Sequence, residues 1–124
     1  MDDMNKLEKT VLIIDDERLV NDTTKLLLEQ NNYNILQAFT GNQGLNIFNE
    51  NSKIVDCIIL DLSLPDIPGE EVLQKLRELS STLKIIISSG TSDPEVEEQV
   101  IDLGANSFLA KPFRINELFN EIEK

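Results

Sequence analysis

The sequence predicts an α/β fold: one doubly wound, five-stranded parallel sheet with helices on both faces. Three observations predict it. Five short apolar runs recur along the 124 residues, and segments with a helical period separate them. The runs are apolar nearly throughout instead of alternating, as strands buried on both faces require.

Taken in order, the first run, Val11 to Ile14, is too short for a helix and suits a buried strand, and Leu19, Leu26 and Leu27 supply the apolar side of the helix after it. Ile35 to Ala38 forms the second strand, followed by a helix marked by Leu45 and Phe48. The third strand runs from Ile54 to Leu60, and its helix carries Val72, Leu73, Leu76 and Leu79. Ile85 to Ile87 is the fourth strand, and Val96, Val100 and Leu103 mark the next helix. Ser92 and Asp93 offer it a cap before the first-turn proline Pro94, and Gly104 stands where a left-handed C-terminal residue is wanted. Ser107 to Ala110 is the fifth strand, and Ile115, Leu118, Phe119 and Ile122 form the i, i+3, i+4, i+7 stripe of a short last helix.

A 40% hydrophobic content is enough for one core, and no repeat, low-complexity tract or Gly/Ser/Pro-rich linker divides the chain. Residues 1–9 are read as a polar extension and residues 10–124 as a single domain, with Met1 leading to the expectation that this domain opens its polypeptide. The net charge of −12 disfavours direct binding to nucleic acid or to an anionic membrane. The start MDDMNKLEKT lacks the apolar core of a signal peptide and no stretch is long enough to span a bilayer, so a cytoplasmic location is expected. Cys57, alone of its kind, cannot form an internal disulfide and reads as a small buried hydrophobe. With no histidine in these 124 residues, any phosphohistidine or histidine metal ligand must come from outside them.

In an open parallel sheet, ligands gather beyond the carboxyl ends of the strands. Asp15, Asp16 and Glu17 follow the first strand, where their negative charges repel unless a cation lies between them, although an acidic turn or helix cap would use the same residues. Asp61 follows the third strand, leading into Leu62-Ser63-Leu64-Pro65. The fourth strand ends in Ser88-Ser89-Gly90 and the fifth in Phe108-Leu109-Ala110-Lys111-Pro112. Singly, each is an ordinary turn or strand exit. Together they bring carboxylates, a hydroxyl, an ammonium and a small residue to one edge of one sheet.

From Thr10 to Glu123, this set of motifs, in this order, resembles the receiver domains of response regulators. The resemblance implies a flavodoxin-like sheet of order 2-1-3-4-5, with Asp61 as the phospho-acceptor and Asp15-Asp16 as the acid pair. It also implies a magnesium (or manganese) ion held by Asp16, Asp61 and the Ser63 carbonyl, with Asp15 acting mainly through water. Ser89, Phe108 and Lys111 would form the phosphoryl-binding and switch set, while Pro65, Gly69, Gly90 and Pro112 shape the loops around them. The implied partners are a sensor histidine kinase or phosphotransfer protein, and an output domain or protein met by the fourth helix, fifth strand and fifth helix. That face could also carry a phosphorylation-dependent dimer. On this reading the domain is no enzyme for other substrates and catalyses only its own aspartyl phosphorylation and dephosphorylation. Ser89 in place of the commoner threonine, Gly90 for alanine, Phe108 for tyrosine and the extra Pro68 are mild departures, none removing a charged group.

Three rivals are weaker. A hydrolase with an aspartyl-phosphate intermediate would want a second acid where Ser63 stands. A flavin or nucleotide binder would want a Gly- or Ser/Thr-rich loop after the first strand, where Asp15-Asp16-Glu17 would repel phosphate. A degenerate receiver kept only for protein interactions would normally have lost a site residue, and here every position is chemically competent.

Overall fold

The computed structural model describes residues 8–124, so that residues 1–7 of the polar extension lie outside the described residues. Five strands alternate with five helices: β1 (Thr10–Ile14), α1 (Arg18–Glu29), β2 (Asn34–Ala38), α2 (Gly41–Glu50), β3 (Val55–Asp61), α3 (Gly69–Leu79), β4 (Lys84–Ser89), α4 (Pro94–Asp102), β5 (Ser107–Ala110) and α5 (Ile115–Glu123). The strands form one parallel sheet of order β2-β1-β3-β4-β5, the doubly wound architecture the apolar runs predict.

Alternation along the buried strands builds two cores, one on each face. Leu12, Ile14, Ile58, Leu60, Ile85 and Ile87 belong to the larger, together with Phe48 of α2, Val72, Leu73 and Leu76 of α3 and Val100 of α4. Val11, Ile13, Cys57, Ile59 and Ile86 belong to the other, with Leu28 of α1 and Leu118 and Ile122 of α5. Cys57 is buried as expected, and burial pushes its thiol up to about 12. Among the described residues, no helix is long and apolar enough to cross a membrane.

The predicted helix faces need correction at several leucines. Leu19 is 80% exposed, and Leu26 and Leu79 are also exposed, whereas α1 buries Asn21 and Leu28. Ile54 is exposed in the turn before β3, which starts at Val55 and continues through Asp61. The ends of α4 match expectation. Asp93 accepts from the Glu95 amide (2.9 Å) with Pro94 in the first turn. At the other end Gly104 takes φ +113°, its amide donates to Ile101 and that of Ala105 to Val100, the paired bonds of a Schellman cap.

Candidate functional site

Register brings the acids together. Ile14 pairs with Leu60, so the next residues of the two neighbouring chains, Asp15 and Asp61, leave the sheet side by side. Asp61 in turn pairs with Ser88 on β4, and Ser89 pairs with Ala110 on β5, which sets Lys111 at the same edge. The Lys111 amide donates to the Ser89 carbonyl (2.6 Å), extending that pairing by one residue, and the Lys111–Pro112 peptide is cis.

One carboxylate oxygen from each of Asp15, Asp16 and Asp61 lies within 4.8 Å of the other two. Asp15 and Asp61 are each 4% exposed, while Asp16 faces solvent. Lys111 Nζ donates to Asp15 Oδ2 (2.9 Å), Glu17 Oε1 (3.1 Å) and Asp61 Oδ2 (3.4 Å). The second oxygens of the two buried acids are also held: Asp15 Oδ1 accepts from the Glu17 amide (2.9 Å) and Asp61 Oδ1 from the Ser63 amide (3.2 Å).

Burial pushes the Asp61 carboxyl up to about 6, against the downward pull of Lys111 and the Ser63 amide and with a further push from Asp15. Burial works against the Lys111 ammonium, but its hydrogen bond to Asp15, the charges of Asp61 and Asp15 and its bond to Glu17 outweigh that, and its pKa rises. The site therefore concentrates negative charge around the half-buried Lys111 ammonium. All its donors toward a cation are carboxylate oxygens, the hard ligands that magnesium prefers, so the residues present fit that ion.

The other predicted residues fall around this centre. Ser89 is buried at the end of β4, its Oγ accepting from the Thr91 amide (3.3 Å). Phe108, opposite Ile87, is half-buried against the larger core. Gly69 is required by close approach: a Cβ there would lie 2.5 Å from Leu62 Cα and 2.7 Å from the Asp61 carbonyl oxygen. Gly90 has no such constraint, since a Cβ would meet nothing within 4 Å. Ser63, Pro65 and Pro112 are exposed on the loops.

Three contributors escaped the sequence reading. Glu17, grouped with the acids but given no role, shares Lys111. Asp66 accepts from the Gly41 and Asn42 amides, both at 2.8 Å, and so fastens the loop after β3 to the start of α2. Asn21 is fully buried behind Asp15, and nothing in the sequence marks it off from the polar residues of the exposed helix face. Beside the site, an open groove of about 620 Å³ lies between α1 and the start of α5, lined by Glu17 and Lys111 together with Leu19, Leu27, Phe113 and Ile115.

A family model described as the response regulator receiver domain matches residues 11–123. The response regulator ArlR of Staphylococcus aureus (strain Mu50 / ATCC 700699) is 38% identical over 112 residues, covering 90% of this chain and 50% of that protein. The chain thus spans about half the length of the curated relatives it matches. Among solved structures, a receiver domain protein from Clostridium thermocellum superposes with a TM-score of 0.88 at 30% identity, covering 93% of this chain and 91% of that one. A CheY-like receiver domain protein from Methanospirillum hungatei JF-1 gives 0.86 at 31% identity, with coverages of 94% and 92%.

Proposed function

This chain belongs to the response regulator receiver family of two-component systems, and from that premise we propose that Asp61 accepts a phosphoryl group with the help of a magnesium ion held by Asp15, Asp16 and Asp61. The observation that carries the proposal is the position of Asp61: the last residue of the central strand β3, with the acid pair on one side and Lys111 in contact.

In the transfer, a carboxylate oxygen of Asp61 attacks phosphorus, and the bond from phosphorus to the donor breaks as the new P–O bond forms. With phosphohistidine as donor, the leaving group is an imidazole nitrogen of the partner, since this chain has no histidine. Bound magnesium supplies positive charge to the phosphoryl oxygens. Lys111 already spans Asp15 and Asp61, so its ammonium stands next to where the new phosphoryl group would carry its charge. Ser89 keeps its hydroxyl proton to donate to a phosphoryl oxygen, and the Ser63 carbonyl is the further ligand that the family pattern supplies. Asp66 takes no part, because both its oxygens are engaged at α2.

The donor is a sensor histidine kinase or a phosphotransfer protein, and the open groove lined in part by Lys111, which itself contacts Asp61, offers it a seat. The response travels through Ser89 and Phe108 toward α4, β5 and α5, the face that meets an output domain, a partner or a second copy. The chain's only chemistry is on itself, gaining and losing the phosphoryl group.

The test is phosphorylation by acetyl phosphate followed by intact-mass spectrometry. One phosphoryl adduct that depends on magnesium and vanishes in Asp61→Asn is expected. An undiminished adduct in Asp61→Asn, or none in the wild type with any donor, would favour a degenerate receiver that acts only by binding.

A further inference from the structure

We propose that Asn21 is a positioning residue for the acid pair, setting the affinity of the site for a divalent cation without touching the ion. The inference rests on the magnesium-assisted reading above.

Asn21 lies in the first turns of α1 and is 0% exposed, at a place where the buried side of the helix would otherwise carry an apolar side chain. Its amide protons go to the carbonyls of Asp15 (2.9 Å) and Ala38 (3.0 Å). Its own carbonyl oxygen accepts from Gln37 Nε2 (2.9 Å), which also reaches Asp22 (2.8 Å). Asn21 therefore has both donors and its acceptor engaged, as a buried amide must.

The sheet explains why these bonds are needed here. The β1–β2 ladder ends where Ile14 meets Ala38, and the Asp15 amide makes the last backbone bond to the Ala38 carbonyl (3.1 Å). Past that point the Asn21 side chain takes over, bridging the last carbonyl of β2 and the first carbonyl beyond β1. Because Asp15 and Asp16 are consecutive, fixing the Asp15 peptide fixes the direction in which both carboxylates leave the strand. Without that bridge two buried carbonyls lose a partner, and the acids are free to relax away from one another, as their mutual repulsion favours.

Outer partners that orient metal ligands commonly carry about 10- to 100-fold in affinity, and a grip on backbone instead of on ligand atoms belongs at the lower end, about tenfold. Leucine matches asparagine in shape and cannot donate. Gln37→Leu leaves Asn21 in place but removes the bond that orients its carbonyl.

The experiment is a magnesium titration of the isotopically labelled wild type, Asn21→Leu and Gln37→Leu followed by amide chemical shifts, with acetyl phosphate phosphorylation measured across the same magnesium range. The expected result is a dissociation constant about tenfold weaker in Asn21→Leu and about two- to threefold weaker in Gln37→Leu, with phosphorylation recovering in both at saturating magnesium. Wild-type affinity in a folded Asn21→Leu protein would overturn the inference, and so would a phosphorylation defect that saturating magnesium leaves in place. If Asn21→Leu does not fold, Gln37→Leu decides alone, and unchanged affinity there overturns it. A wild type that binds no magnesium removes the site reading and this inference together, whereas normal wild-type binding with unchanged variants removes the inference only.

Discussion

Asp61 sits 4% exposed beside Asp15, so its negative charge strains the metal-free fold even with Lys111 in contact. Because its carboxyl is raised from 3.8 to about 6, the strain is absent below the lower value and complete above the higher. Asp61→Asn should therefore stabilise the protein in EDTA at pH 7.5 by about 1 to 3 kcal/mol in urea unfolding. Equal or earlier unfolding of the variant would contradict that. Cys57 gives a second expectation at this scale. With its thiol at about 12, the thiolate at pH 8 is scarce, and alkylation by iodoacetamide should run about a thousandfold slower than for a free thiol until urea unfolds the chain. Fast labelling of the native protein would show that the strand opens locally. Asp15, Asp16, Asp61, Ser89 and Lys111 were legible in the sequence because their chemistry is written in their residue type. Asn21 and Asp66 were not, because a buried amide and a helix-capping carboxylate look like any polar surface residue until their partners are placed.

Elements were legible in kind and less so in phase. The five strands stand within a residue or two of the apolar runs, and the inner three, β1, β3 and β4, are buried on both faces and have no phase to mistake. In α1, consecutive leucines leave the helical phase open. Asn21 and Leu28 face inward while Leu19 and Leu26 face out, so the polar network at Asn21 fixes the rotation that hydrophobicity alone would set differently. Two glycines that look alike in sequence, at the start of α3 and just after β4, differ in their surroundings. At Gly69 an added Cβ meets backbone at 2.5 Å, which no side-chain rotation relieves, whereas at Gly90 it meets nothing within 4 Å. Gly69→Ala should cost about 1 to 3 kcal/mol and Gly90→Ala less than about 0.5 kcal/mol in the same unfolding measurement. Comparable losses at both would mean that the loop after β3 yields more readily than its contacts indicate.

For the whole molecule, the layered architecture followed from periodicity, but the strand order did not: apolar runs do not say which strand lies beside which, and the order 2-1-3-4-5 came with the resemblance. That order has a consequence for how the chain folds. No ladder joins strands linked by a hairpin, and β1 reaches past β2 and α2 to pair with β3. The acid pair and Asp61 thus become neighbours only once that long closure is made, and any partly folded chain lacking it has no site to offer a cation. Magnesium should then stabilise the fold by mass action, by about 1.4 kcal/mol at ten times its dissociation constant, and so raise the unfolding midpoint. If the β1–β3 closure is also late, the gain will lie in the escape rate from the native basin, leaving the refolding arm of the chevron unmoved. A refolding rate that climbs with magnesium would place the closure early, with the acids already gathered in the barrier ensemble and the ion acting as a template for the chain.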